Sequence, residues 1–386
     1  MKKLSLLPIL LLFCAFQLAS QENIKILHGP YLQNMDQHEV TVVWVTNKSA
    51  VSWVEPAPDD GTHFYLKERP KVFAAKNGIK TESRIHTVKL TGLHPGAKYR
   101  YRIFSQEVLG REGIHITYGK VASSTAYEPC SFVTLNHAKS SMSFTMVNDI
   151  HGRSEVLEQM LKYAEPEKND LVFFNGDMVS AFNNEQELFD GFMEAGIKAF
   201  AKNIPMYYAR GNHETRGPFA TSFQDYFSPL SPELYYLVRQ GPVCFVVLDC
   251  GEDKPDSDIE YSGITVYDLY RTTEKEWLKK ALESKEFTGA AFKVAVCHMP
   301  PREDWHGEQE ILEKFVPLLN EAKIDIMLCG HLHEHIRTEA NDQVKFPVLV
   351  NSNNAVVKGV VTDKTLRLDV IDLNGKKTDS ISIPAR

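Results

Sequence analysis

Cysteine is scarce in this chain, with six in 386 residues. Cys14 lies in the first twenty residues; Cys130, Cys244, Cys250, Cys297 and Cys329 make an odd, sparse remainder. That excludes a disulfide framework. Cys244 and Cys250 share one strand-like run and stand about 20 Å apart if it is extended, too far for a local bridge. All five read as buried, inert thiols. An excess of positive charge is also missing: 43 Lys and Arg against 50 Asp and Glu leave −7. This excludes nucleic-acid binding by bulk charge. It leaves room for a small anionic substrate, because a buried metal site reverses the local field. Beyond residue 20 no apolar run approaches the roughly 20 residues that span a bilayer. With 10% aromatic and 24% charged residues, the composition is globular and excludes disorder or a fibrous repeat.

What is present begins with a targeting pattern. Lys2 and Lys3 precede an almost wholly apolar stretch over residues 4–18, followed by the small Ala19 and Ser20. This reads as a cleavable secretory signal over residues 1–20. Its loss removes two lysines and takes the mature charge from −7 to −9. The expectation is a soluble periplasmic or secreted protein with no membrane attachment.

The length exceeds the roughly 100–200 residues of one domain, and the periodicity changes along the chain. Residues 21–135 read as strand after strand: Val40-Thr41-Val42-Val43-Trp44-Val45, then Thr87-Val88-Lys89-Leu90, a Gly92–Gly96 turn, and Tyr99-Arg100-Tyr101-Arg102-Ile103. Short strands between turns predict an all-β sandwich. Trp44 and Tyr99 are expected to pack in its core rather than to form a binding surface. Residues 136–140 are polar and read as a linker. Over residues 141–386 strands alternate with helices. Helices are expected at 153–164, 273–285 and 308–323 from apolar residues at three- and four-residue spacing.

The chemistry sits where apolar runs end. Five runs end in metal-ligand residue types: Asn148-Asp149-Ile150-His151, Asn175-Gly176-Asp177, Arg210-Gly211-Asn212-His213-Glu214, Cys297-His298 and Cys329-Gly330-His331-Leu332-His333. Open α/β sheets bind ligands at the carboxyl ends of strands, so one shared cleft is expected. Asp249 also ends an apolar run and reads as structural.

This ordered set resembles the calcineurin-like metallophosphoesterase superfamily, whose pattern runs Gly-Asp-x-His, Gly-Asp, Gly-Asn-His-Asp/Glu, a lone His and Gly-His-x-His. The likeness covers residue 143 to about residue 354. The first half resembles the N-terminal domain of purple acid phosphatases, including His28-Gly29-Pro30-Tyr31-Leu32, and Leu93 with Tyr99 resembles a fibronectin type III tyrosine corner. The resemblance implies a fibronectin III-like sandwich followed by an α/β domain of two packed mixed sheets flanked by helices.

It also implies a dinuclear centre. Asp149, His151, Asp177 and His333 would hold one ion; Asp177, Asn212, His298 and His331 would hold the other, with Asp177 bridging. Two divalent ions against two carboxylates leave about +2, enough to bind a phosphate and lower the pKa of a bound water. The imidazole and carboxylate set suits Fe, Zn or Mn.

Two departures matter. Asn148 stands where the first motif has glycine. Ser180 stands where purple enzymes carry the iron-binding Tyr, while His151, which they usually lack, is present. A divalent, colourless pair is therefore expected. The implied reaction is attack of metal-bound hydroxide on the phosphorus of a small phosphate monoester. His213 would act on the leaving group, and Arg216, Arg302 and His306 are candidate substrate contacts. The alternatives are a phosphodiesterase on the same site and a non-catalytic binding or adhesion protein with a retired enzyme domain.

Overall fold

The computed structural model describes residues 22–125, 127–228 and 230–386; the expected signal over residues 1–20 lies outside them. The apolar run around Trp44 belongs to a twenty-residue strand, Glu39–Pro58. Its first half pairs with Ile26–Gln33 and Glu82–Thr91, its second with Lys98–Glu112 and Val72–Phe73. The register shifts between Val45 and Ala50, where the strand passes from one group of partners to the other. Trp44 is fully buried, and its indole Nε1 donates to Ser105 Oγ on Lys98–Glu112 at 2.8 Å. The Tyr99 hydroxyl accepts from the His94 backbone N–H at 3.0 Å, and its ring stacks on Phe132. Trp44 is a core group as its sequence setting predicted, whereas Tyr99 is half-buried and packs against the edge of that core.

Two six-stranded mixed sheets follow. The first runs Met206–Ala209, Leu171–Asn175, Ser141–Val147, Ala355–Thr362, Thr365–Asp372, Lys377–Pro384. The second runs Tyr236–Gln240, Val243–Val247, Phe292–Val296, Ile326–Cys329, Val348–Val350, Ile336–Thr338. The central strands are parallel and buried on both sides, which explains their unbroken apolar sequences. The sheets meet through Phe144, Phe173 and Phe245, with ring centroids 4.8–6.1 Å apart. Helices Ser154–Ala164 and Tyr267–Glu283 cover the outer faces.

The helix expected over 308–323 is two helices, His306–Lys314 and Val316–Glu321. Pro317 has no N–H to continue the ladder, so the run breaks at Phe315. The segment 185–201 is helical, with π-wound turns at Phe189–Met193 and Ile197–Ala201; its interrupting Gly191 and Gly196 hid it from the pattern.

The polar stretch 136–140 is pinned rather than free. Asn136 N–H donates to Gln240 at 2.7 Å, and Lys139 pairs with Asp170. Hydroxyls knit the sandwich to the sheets: Tyr31 to Tyr226 O, Tyr101 to Lys202 O and Tyr207 to Met35 O. Cys244, Cys250, Cys297 and Cys329 are buried and Cys130 partly so, all as free thiols raised by burial. Among the described residues no helix is long and apolar enough to cross a membrane.

Candidate metal centre

The loops after Ser141–Val147, Leu171–Asn175, Met206–Ala209, Phe292–Val296 and Ile326–Cys329 converge at one end of the two sheets. Their backbone is unusual. Asp149, His151, Asp177, His331 and His333 have φ of 53°, 50°, 53°, 73° and 58°. Side chains rarely take this left-handed region, and each such residue costs on the order of 1–3 kcal/mol. Gly176, at φ +75°, lets the chain pass where a Cβ would lie 2.5 Å from His298 Nδ1. At Gly211 a Cβ would lie 2.3 Å from Asp177 Oδ1.

Polar groups behind the loops hold this shape. The buried Glu214 carboxylate accepts from the backbone N–H groups of Asp177, Met178 and Gly211 and from the Tyr208 hydroxyl, at 2.7–2.9 Å. Asn148, the departure from glycine, exchanges hydrogen bonds with Asn351 at 2.9 and 2.7 Å. His298 Nδ1 meets the Asn175 carbonyl at 2.7 Å, which turns Nε2 toward the cleft. Asp249 takes Arg210 at 2.8 Å and the Tyr270 hydroxyl at 2.8 Å, as a structural carboxylate does. Sequence reading gave no role to Glu214, Asn351 or Asn175. Glu214 was visible in its motif, but nothing local shows that its partners are backbone N–H groups from the neighbouring loop.

The seven candidate ligands and His213 come together. Asp149, His151 and His333 form one group; Asp177, His298 and His331 form another; in each the donor atoms lie within 4.8 Å of one another. Asp177 also groups with His151 and His213. His298 Nε2 lies 3.1 Å from Asp177 Oδ2 and 3.8 Å from Asp149 Oδ1. His333 Nε2 lies 3.3 Å from Asp149 Oδ1 and 3.1 Å from His151 Nε2. Asn212 Oδ1 faces His331 Nδ1 at 3.1 Å. The His213 backbone N–H donates to Asp177 Oδ1 at 2.9 Å, its Nδ1 meets the Ser180 carbonyl at 2.7 Å, and its Nε2 is 3.8 Å from Asp177 Oδ2.

The donor set fits metal ions. Asp149 Oδ1 and His298 Nε2 are buried with charged neighbours at 3.3 and 3.1 Å but no well-aligned hydrogen bond among the described residues, an arrangement that is costly unless a cation completes it. Burial lowers His151 and His331 to about 4 each, leaving neutral imidazoles with a free lone pair near neutral pH. Burial would also lower His298, but Asp177 and Asp149 outweigh it and push that imidazole up to about 10. Burial opposes the Asp177 carboxylate, yet His298 and His213 hold it well below the usual range. The two carboxylates thus demand positive charge.

The remaining candidates lie differently. Arg216 approaches His213 Nε2 at 3.4 Å, but its guanidinium is engaged by Glu252 at 2.5 and 3.0 Å and by Asp253 at 3.3 Å. Arg302 pairs with Asp304. His306 bonds Asp268 at 2.8 Å in a separate group with Glu310. The structure does not bring Arg302 or His306 into the ligand cluster.

Comparison with known proteins places this geometry. Residues 142–335, half of the chain, match the calcineurin-like phosphoesterase family. The chain belongs to that family. It is a metal-dependent phosphoric ester hydrolase by class, and the family's centre is dinuclear. Residues 30–126 match the purple acid phosphatase N-terminal domain. In Arabidopsis thaliana, probable purple acid phosphatase 20 is 24% identical over 339 residues, covering 82% of this chain and 73% of that protein. Purple acid phosphatase 18 of the same plant is 24% identical, covering 79% of this chain and 64% of its own length. The purple acid phosphatase PPD1 from yellow lupin (Lupinus luteus) seeds superimposes with a TM-score of 0.67 at 17% identity, covering 92% of this chain and 74% of that one. That likeness establishes the phosphoesterase fold with its N-terminal β domain.

Proposed function

We propose that this phosphoesterase is a secreted hydrolase of phosphate monoesters. One ion would be held by Asp149, His151, Asp177 and His333, the other by Asp177, Asn212, His298 and His331. The observation that carries the reading is the convergence of these donors with Asp149 Oδ1 and His298 Nε2 left without a well-aligned hydrogen bond. Two divalent ions supply a reactive water near neutral pH and a positive clamp for phosphoryl oxygens. His298 is held in one orientation by Asn175, and Asp177 by Glu214 through its backbone N–H. His213, fixed through Nδ1 on Ser180, aims Nε2 into the cleft and stabilises or protonates the leaving oxygen. A positioned acid of this kind contributes about 10²–10⁴-fold.

Ser180, a residue without a phenol, meets His213 through its carbonyl, and His151 joins the first group of donors. Both support a divalent pair of Fe, Zn or Mn without tyrosinate colour. Monoesters are favoured over diesters by the pairing with a phosphatase-type N-terminal domain. Secretion is proposed from residues 1–20.

The test pairs metal analysis of the mature protein with turnover of an aryl phosphate and its diester. About two transition ions with monoester turnover is the expected result. A preference for the diester moves the reading to phosphodiesterase. Absence of metal after reconstitution, with neither ester cleaved, overturns it in favour of a binding protein.

A further inference from the structure

A cavity of about 620 Å³ opens beside His213. It is joined to the candidate centre through Thr215 and Arg216, which line it and stand two and three residues after His213 in the chain. Arg216 Nη1 is 3.4 Å from His213 Nε2, while its charge is matched by Glu252 and Asp253. The wall therefore offers no free cation to draw a phosphate away from the metals.

The other walls are mainly aromatic and apolar, with Arg210, Glu252 and Glu260 among them and Arg210 paired with Asp249. Tyr261, Tyr267, Tyr270, Pro218, Ile264 and Val266 contribute. The hydroxyl of Tyr261 is tied to Glu252 and Asp253, and that of Tyr270 to Asp249 at 2.8 Å. Their polar tips are satisfied in the wall; Lys254 lies over the Tyr261 ring and Arg210 over those of Tyr267 and Tyr270, so a guest meets the remaining ring edges and faces. Ile264 and Val266 are 86% and 70% exposed. Apolar side chains held open around a cavity mark a ligand groove, and the volume falls in the roughly 300–1,000 Å³ range of small-molecule sites.

We propose that this cavity holds the alcohol portion of the substrate and selects phosphate monoesters of bulky aromatic alcohols. The proposal rests on the monoesterase reading above. The candidate ligands do not themselves line the cavity; with the phosphate at the metal donors and His213 on the leaving oxygen, the alcohol leaves past His213 toward Arg216, which does line it. Hydrolysis breaks the bond between phosphorus and that oxygen. One water supplies the new phosphate oxygen and the proton that leaves on the neutral alcohol. Aromatic guests are favoured because three tyrosine rings offer edge and face contacts beyond simple area burial.

The experiment measures kcat/KM for 2-naphthyl phosphate and glycerol 2-phosphate, in the metal-loaded wild type and in Ile264→Asn and Val266→Asn. Both substitutions are neutral, so they leave the field at the phosphate unchanged, and both sites are exposed, so the fold tolerates them. The naphthyl-to-glycerol ratio is expected to fall at least tenfold in each variant, the scale set by losing a few methylenes of pocket contact. Competitive inhibition by 2-naphthol should weaken in parallel. An unchanged ratio with active protein overturns the pocket assignment and leaves the monoesterase reading standing. Wild type that cleaves neither ester removes both.

Discussion

Two buried histidines, one in each half of the molecule, are driven in opposite directions. His86 lies in the sandwich at 1% exposure, beside Trp44, with Nε2 2.8 Å from the Thr46 hydroxyl. Burial lowers it to about 3. His298 lies in the cleft at 0% exposure, and two carboxylates push it up to about 10. Burial is common to both; the neighbours decide the sign. Around His86 and Trp44 the sandwich encloses neutral hydroxyls, Thr46, Ser52 and Ser105, that bond these side chains or one another. The cleft encloses charged groups that leave Asp149 Oδ1 and His298 Nε2 without a well-aligned hydrogen bond. The backbone differs in the same way: strained left-handed residues gather at the ligand loops, whereas the sandwich places its own at turns such as Asn34 and Asn77.

The largest expected break in this contrast is Asp177→Asn. It keeps the shape and removes the charge shared by both candidate ion sites. Turnover should fall by about 10³-fold or more, and elemental analysis should give fewer ions than in wild type. Retention of the wild-type ion content with full activity would refute the bridging role. Next comes Glu214→Ala, measured by thermal unfolding of metal-free protein. It strands three backbone N–H groups and the Tyr208 hydroxyl in a buried site. A loss of about 3–5 kcal/mol is expected, because the carboxylate shapes the loop even without metal.

The third break is in pH. Above 6.5, the ordinary value, His86 is neutral folded or unfolded and its contribution is complete. As pH falls from 6.5 toward 3, the unfolded chain takes up a proton that the folded sandwich refuses, and stability declines. The slope from this one group is at most about 1.4 kcal/mol per pH unit. Urea unfolding at stepped pH should show a shallower acid limb in His86→Gln. An identical limb would mean that His86 is hydrated in solution.

How much of this was legible follows the same division. The ligands could be read because each follows an apolar strand, and strand ends in an α/β layer share one edge. Trp44 and Tyr99 could be read as packing groups rather than a binding surface because alternation and a turn flanked them. Partners distant in sequence could not: Glu214 serves a loop some 36 residues earlier, and Asn148 finds Asn351 across 203 residues. Pro317 was visible, yet apolar spacing on both sides masked the break. Arg216, Arg302 and His306 were picked by proximity to motifs, which says nothing about the acids that occupy them.

The smallest effect sharpens the contrast most. Tyr99→Phe keeps the ring on Phe132 and removes only the hydroxyl that accepts from His94 N–H. The loss should be about 1 kcal/mol, the net value of one hydrogen bond, read from urea unfolding. Metal content and turnover should stay at wild-type levels, because the bond closes a corner of the sandwich and reaches no ligand loop. A change in turnover would show that the sandwich positions the cleft through more than the hydroxyl contacts at Tyr31, Tyr101 and Tyr207. Equal turnover with reduced stability would mean that this bond holds only the sandwich's own corner, whereas the hydroxyls of Tyr31 and Tyr101 are the ones that reach the α/β domain.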